Sequence, residues 1–279
     1  MINIDHKKLM KIGRAVYAGI DRNHLAIVAS GVGFYAFLSI FPALISLISL
    51  YGLVVDPHQA QQQIESLGTM MPDEALAIIQ GRIDNLLSTS QASLSLGTSI
   101  GILISMWSAN KGTKYLFTGL EIAYGATNSR HFIKQNVITL AFTFAAIITM
   151  IITMVLVMVF PALVDVLHLP ERIESLVAWL RWPLLLAIVV CMKVMIYRFA
   201  PDRRTPSFRL ALPGAILSTV LWLLVSWGFS FYVSNFGDYG EMYGALSAVV
   251  VLLLWLDLTS FIILLGAQLN AMLEEFESV

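Results

Sequence analysis

No Asp, Glu, Lys, Arg or His interrupts the thirty residues from Ala26 to Val55. A helix crossing the hydrocarbon core of a bilayer needs about 20 predominantly apolar residues. Backbone groups in that medium must satisfy one another, which leaves helices and closed barrels as the spanning structures. Further apolar runs place spans near 26–55, 95–117, 137–161, 182–199, 210–232 and 245–270, each at helical length. Composition agrees, with 58% hydrophobic and 13% charged residues where soluble domains have about 45–50% and about 25%. The expected fold is an all-α integral membrane protein of six transmembrane helices, a single polytopic domain over residues 1–279. Pro42 is expected to kink the first of them.

Lys and Arg collect in alternate connections. The arm before the first span holds Lys7, Lys8, Lys11, Arg14 and Arg22. The second connection and its flank hold Lys111, Lys114, Arg130 and Lys134, and the fourth Arg198, Arg203, Arg204 and Arg209. The opposite side carries Arg82, Arg172 and Arg181. The excess marks the cytoplasmic side, so both termini are expected there. The short N-terminus lacks the apolar core of a cleaved leader, and none is expected.

The arm, residues 1–25, places Leu9, Ile12, Val16, Tyr17 and Ile20 on one helical face. Such a helix suits either an anionic inner leaflet or docking on the bundle, and the pattern leaves both open. Residues 56–94 are acidic, with a Pro72 start and an apolar stripe at Leu76, Ile79, Ile83, Leu86 and Leu87. They are expected to form a helical cap on the outer (periplasmic) face. Glu171–Leu180 is expected to be a separate interfacial helix, with Trp179 and Trp182 at headgroup level.

Asp257 breaks the last apolar run near its middle, and an ionisable residue there is by default a functional candidate. Lys193 lies about 16 Å into the fourth span and Asp257 about 18 Å into the sixth, at 1.5 Å per residue. Matching depth suggests a pair or a shared polar cavity forming a transport site, against the alternative of a structural salt bridge. Lys111, Lys114 and Arg198 are candidate anion contacts at the cytoplasmic mouth, or simply flanking positive charge. Asp238 and Glu241, in a glycine-rich turn, are candidates for an outer vestibule.

Other chemistries find little footing. The histidines His6, His24, His58, His131 and His168 are dispersed without metal-ligand spacing. No catalytic residues and no cofactor are expected. A net charge of −1 and the absence of basic–aromatic interleaving argue against nucleic acid. A single Cys191 excludes a disulfide framework.

Ser30-Gly31-Val32-Gly33-Phe34-Tyr35-Ala36-Phe37-Leu38-Ser39-Ile40-Phe41-Pro42, Trp107-Ser108 with Gly112, and Tyr197-Arg198-Phe199-Ala200-Pro201 follow one another in order. Pro213-Gly214-Ala215 with Trp222, Tyr243-Gly244-Ala245, Leu254-Trp255 and Leu265-Gly266-Ala267-Gln268-Leu269-Asn270 complete the series. In this the chain resembles the YihY/BrkB family of bacterial inner-membrane proteins, once labelled ribonuclease BN. The resemblance implies six helices, an inner-membrane location and an unsettled activity, and it supplies no catalytic residues. Family links to serum resistance and lipid-precursor movement imply a translocator of an envelope lipid, amphiphile or small anion. Its partners would be membrane lipids and an anionic lipid or amphiphile substrate, with a homo-oligomer left open. A non-transporting scaffold of the envelope is the alternative, and a membrane-bound nuclease is disfavoured.

Overall fold

The computed structural model describes residues 6–54, 91–127, 129–159, 171–202, 208–236 and 246–278. Its elements, in chain order, are α1 (His6–Arg22), α2 (Leu25–Val54), α3 (Gln91–Tyr124), α4 (Phe132–Met154), α5 (Glu171–Phe199), α6 (Phe208–Phe236) and α7 (Ser247–Ser278). A π-helical stretch, Val155–Val159, continues α4. The described residues contain no strand, so the chain is an all-α membrane protein.

Among the described residues five helical segments are long and apolar enough to cross a membrane: Leu25–Pro42, Phe132–Val157, Trp179–Phe199, Phe208–Asn235 and Ser247–Glu277. The expected second span, 95–117, lies inside the 34-residue α3 but is not among those five. The expected cap lies outside the described residues for all but its last four positions, which belong to α3.

Two compact units make up the chain, Leu38–Lys111 and the remainder, Met1–Phe37 with Gly112–Val279. In the larger unit α7 packs most extensively on α6, α5 packs on α6, and α1 docks on α7. Leu25, Ala29, Phe117, Leu120, Val194, Tyr197, Ala215 and Leu264 belong to its core. Outward apolar side chains such as Ile216, Leu224 and Trp227 remain exposed, as a lipid-facing surface requires.

One expectation is corrected here. Glu171–Leu180 is not a separate helix, because α5 runs unbroken from Glu171 to Phe199 and through Pro183. Continuing the helix keeps the backbone hydrogen bonds internal, which an apolar medium rewards, and a mid-helix proline is tolerated there. Trp179 and Trp182 are exposed, and the Arg181 guanidinium lies 5.2 Å from the Trp182 ring centre. On the apolar face of α1 the residues differ in burial. Ile12 is buried and Ile20 packs on the core, but Tyr17 is 70% exposed.

The helix ends are built from named contacts. Gly125, at φ +63°, ends α3. Its N–H donates to the Ile122 carbonyl at 3.0 Å and that of Ala126 to Glu121 at 2.8 Å, a Schellman pair that uses glycine's access to positive φ. His24, at φ 48°, turns the chain between α1 and α2.

Candidate functional site

Buried polar groups knit one end of the larger unit. Tyr197, fully buried on α5, donates its hydroxyl to the Ile263 carbonyl at 2.8 Å and lies 3.1 Å from Ser218 Oγ. Ser218 donates to the Ala215 carbonyl at 3.2 Å. Asn270 on α7 accepts the Gly214 N–H at 2.7 Å and donates to the Ala211 carbonyl at 3.0 Å. Gly214 and Gly266 make this approach possible. A Cβ on Gly214 would collide with the Gly266 carbonyl and the Asn270 side chain. A Cβ on Gly266 would lie 2.5 Å from Tyr197 Oη. Small residues are what allow membrane helices to come this close.

The knot reaches α1 through Gln268. Asn23 Nδ2 donates to Gln268 Oε1 at 2.8 Å, and Gly19 leaves room for the Gln268 amide. The arm is thus a docked helix, one of the two readings its sequence allowed. Beside it lies a cavity of about 430 Å³ lined by Arg22, Asn23, Tyr124, Gly125, Glu274 and Glu275 among others. The beginning of α2 and the end of α7 therefore lie at the same end of the bundle.

A second cluster closes the end of α5. The Arg130 guanidinium donates to the carbonyls of Phe199, Ala200 and Pro201, each at 3.0 Å. Its Nε lies 3.0 Å from Asp202 Oδ1 in an ion pair. A cation here complements the negative end of the helix dipole. Asp202 Oδ2 also accepts the Ser129 hydroxyl at 2.7 Å and the Ser129 N–H at 2.8 Å. The Ser129 hydroxyl bond is the largest influence holding Asp202 below its ordinary range. The Ser129 N–H and Arg130 act the same way, with burial opposing. Glu121, only 6% exposed, has no hydrogen-bond partner for Oε1. Burial pushes its carboxyl above the ordinary range, Arg130 pulls it back, and Asp202 pushes it further up.

Farther along the helices sit the two ionisable groups singled out in the sequence. Lys193 is 8% exposed, and its Nζ is buried without a hydrogen-bond partner. Asp257 Oδ1 is likewise buried and unpartnered. The expected direct pair between them is not formed, since Arg130–Asp202 is the ion pair found among the described residues. Asp257 instead sits where α2 crosses α7. A Cβ on Gly33 would lie 3.0 Å from both the Cα and the N of Asp257. Matching depth along the sequence did not by itself bring the two groups into an ion pair.

The remaining candidates separate. Arg198 holds its guanidinium carbon 3.8 Å from the Phe208 ring centre and 5.4 Å from that of Phe199. Lys111 is exposed and belongs to the smaller unit, while Lys114 is half-buried in the larger. Asp238 and Glu241 lie outside the described residues. Among the described residues no three His, Cys, Asp or Glu side chains gather as metal ligands would. The sequence reading did not anticipate the Arg130–Asp202–Ser129 latch or buried Glu121. Tyr197, Gly214, Gly266 and Asn270 were noticed there, but without a role.

Together these features define a class: a multi-pass helical membrane protein knitted at one end by buried hydrogen bonds, with two unpaired ionisable groups deeper in the bundle. The chain belongs to the virulence factor BrkB family, whose model matches residues 16–278, as the resemblance had indicated. It is 28% identical over 251 residues to the ribonuclease-like protein YfkH of Bacillus subtilis, with 88% of each chain covered. It is 44% identical over 99 residues to a UPF0761 membrane protein of Xanthomonas campestris, a match covering 36% of this chain and 23% of that protein. The protein XAC0937 of Xanthomonas axonopodis, of the same UPF0761 description, is also 44% identical over 99 residues and again covered over 23% of its length. No solved structure matches the chain.

Proposed function

We propose that this protein is a non-enzymatic translocator of the bacterial inner membrane, moving an envelope lipid, another amphiphile or a small anion, with both termini cytoplasmic. The observation that carries this reading is the pair of unpartnered groups, Lys193 Nζ and Asp257 Oδ1, buried within apolar helices. Ionisable groups at such depth cost several kcal/mol or less when snorkelling and water relieve them, and they mark ion and substrate pathways. A purely structural bundle would gain by pairing them or replacing them with apolar residues. Asp257, beside the close approach of Gly33 on α2, would line the polar path together with Lys193. Lys111, Lys114 and Arg198 would meet anionic groups at the cytoplasmic mouth. The sequence has no phosphate-binding loop, so the driving force is assigned to an ion gradient, a partner or the substrate's own gradient.

Purified protein in liposomes loaded with labelled anionic lipid or anion tests this. The wild type is expected to give flux, and Asp257→Asn to reduce it by about tenfold or more, a change of roughly 1.4 kcal/mol in the barrier. Unchanged flux in Asp257→Asn removes Asp257 from the pathway. Lack of flux in wild type and variant alike supports the scaffold instead.

A further inference from the structure

We propose that Lys193 is the headgroup contact for an anionic amphiphile, one phosphate or carboxylate on an apolar tail. This rests on the translocator reading and gives it a substrate class. The argument starts from what surrounds the ammonium. It is more than nine-tenths buried, and Nζ has no hydrogen-bond partner. Within α5 the residues on its own face are Val189, Val190, Ile196 and Tyr197, at the i±3 and i±4 positions. None of them is acidic, and the Tyr197 hydroxyl is committed to Ile263 and Ser218.

The neighbouring helices supply no counter-charge either. α6, on which α5 packs, has no Asp or Glu from Phe208 to Phe236. α4, which touches α5 lightly, has none from Phe132 to Met154. α7 offers Asp257 in its apolar part, and that carboxylate makes no ion pair with Lys193. Among the described residues no carboxylate, including Glu121 on α3, makes an ion pair with this ammonium, which points to an anion from outside the chain. A buried ammonium is stabilised by a hydrogen-bonded opposite charge. The position selects the kind of anion. Lys193 lies about 16 Å along the helix from Trp182, among residues such as Val190 and Val194. An anion carried on an apolar tail reaches that level without being stripped of water alone.

The test is binding of dodecyl phosphate, dodecylphosphocholine and inorganic phosphate to the purified full chain in dodecyl maltoside. It is read by thermal shift and by native mass spectrometry. Wild type is expected to bind dodecyl phosphate about tenfold or more tighter than dodecylphosphocholine, with no measurable binding of inorganic phosphate. Lys193→Met and Lys193→Gln are expected to lose that preference and Lys193→Arg to keep it. Lys193→Met without ligand is expected to melt no lower than wild type, because it removes an uncompensated charge. Equal affinity for the two amphiphiles, or a preference that survives both Met and Gln, overturns the proposal. Binding of inorganic phosphate in preference to dodecyl phosphate overturns the amphiphile in favour of a free anion. Asp257→Asn separates the two readings: it is expected to retain dodecyl phosphate binding while losing flux. Lys193-dependent binding in a protein without flux would sink the translocator and leave the anion site standing.

Discussion

A methyl group at Gly266 would lie 2.5 Å from Tyr197 Oη, 2.7 Å from the Gly214 carbonyl oxygen and 2.9 Å from Ser218 Cβ. Two of these neighbours belong to α6, one of them backbone, so the contact is not relieved by a side chain swinging aside. Gly266→Ala is expected to cost about 1–3 kcal/mol, the range for overpacking a close-packed site, seen as a lower melting temperature in detergent. Tyr197→Phe keeps the ring and removes the hydroxyl bonds. It is expected to cost about 1 kcal/mol, near the upper part of the measured range for hydrogen bonds within membranes. Lys193 and Asp257 stand apart from this knot, because Lys193 Nζ and Asp257 Oδ1 lack partners where the polar atoms of Tyr197 and Asn270 have them.

At the scale of the helix, Arg130 holds the last carbonyls of α5 and Asp202 together. Removing it leaves Asp202 without its cation and three carbonyls with one donor fewer. Arg130→Met is therefore expected to destabilise by roughly 3 kcal/mol, as breaking one side of a mostly buried pair does. The latch also predicts opposite pH responses for its two acids. Asp202 is held low chiefly by the Ser129 hydroxyl. Its stabilisation is full above the ordinary aspartate range and is lost as pH falls through its lowered pKa. Glu121 is raised by burial. Its contribution is full below the ordinary glutamate range and is lost as pH rises through its raised pKa. Melting temperatures measured across the acidic and neutral range are expected to show Asp202→Asn flattening the acid side. Glu121→Gln is expected to flatten the loss on the upper side. Wild-type profiles for both variants would contradict this account of the latch.

At the scale of the whole molecule, the shared cavity of Arg22, Asn23, Glu274 and Glu275 bears on the number of crossings to expect. The start of α2 and the end of α7 lie at one end of the bundle, which demands an even number of passes. Five segments among the described residues qualify by length and apolarity, and the sixth crossing is expected within α3. Its 34 residues extend about 50 Å at 1.5 Å per residue, enough for a bilayer core of about 30 Å. Single cysteines at Lys11→Cys and Glu277→Cys, in a Cys191→Ala background, are expected to show the same protection from an impermeant maleimide in intact cells. Labelling of one and not the other would mean five crossings.

The sequence by itself determined the class of the protein and the places where most helices cross. Hydrophobicity accumulates along the chain, and a run such as Ala26–Val55 has few alternatives in water or lipid. It also marked Lys193 and Asp257, because a charge in an apolar run stands out without knowledge of its neighbours. Tertiary structure alone decided what those residues meet. Residue count gives depth, but each residue also turns the side chain by about 100° around the helix. Helix crossings then set which faces touch. For that reason the pairing of Lys193 with Asp257 was legible only as a possibility of level. Likewise Gly33 against Asp257, Arg130 on the end of α5, and α1 on Gln268 became visible only when the helices were brought together.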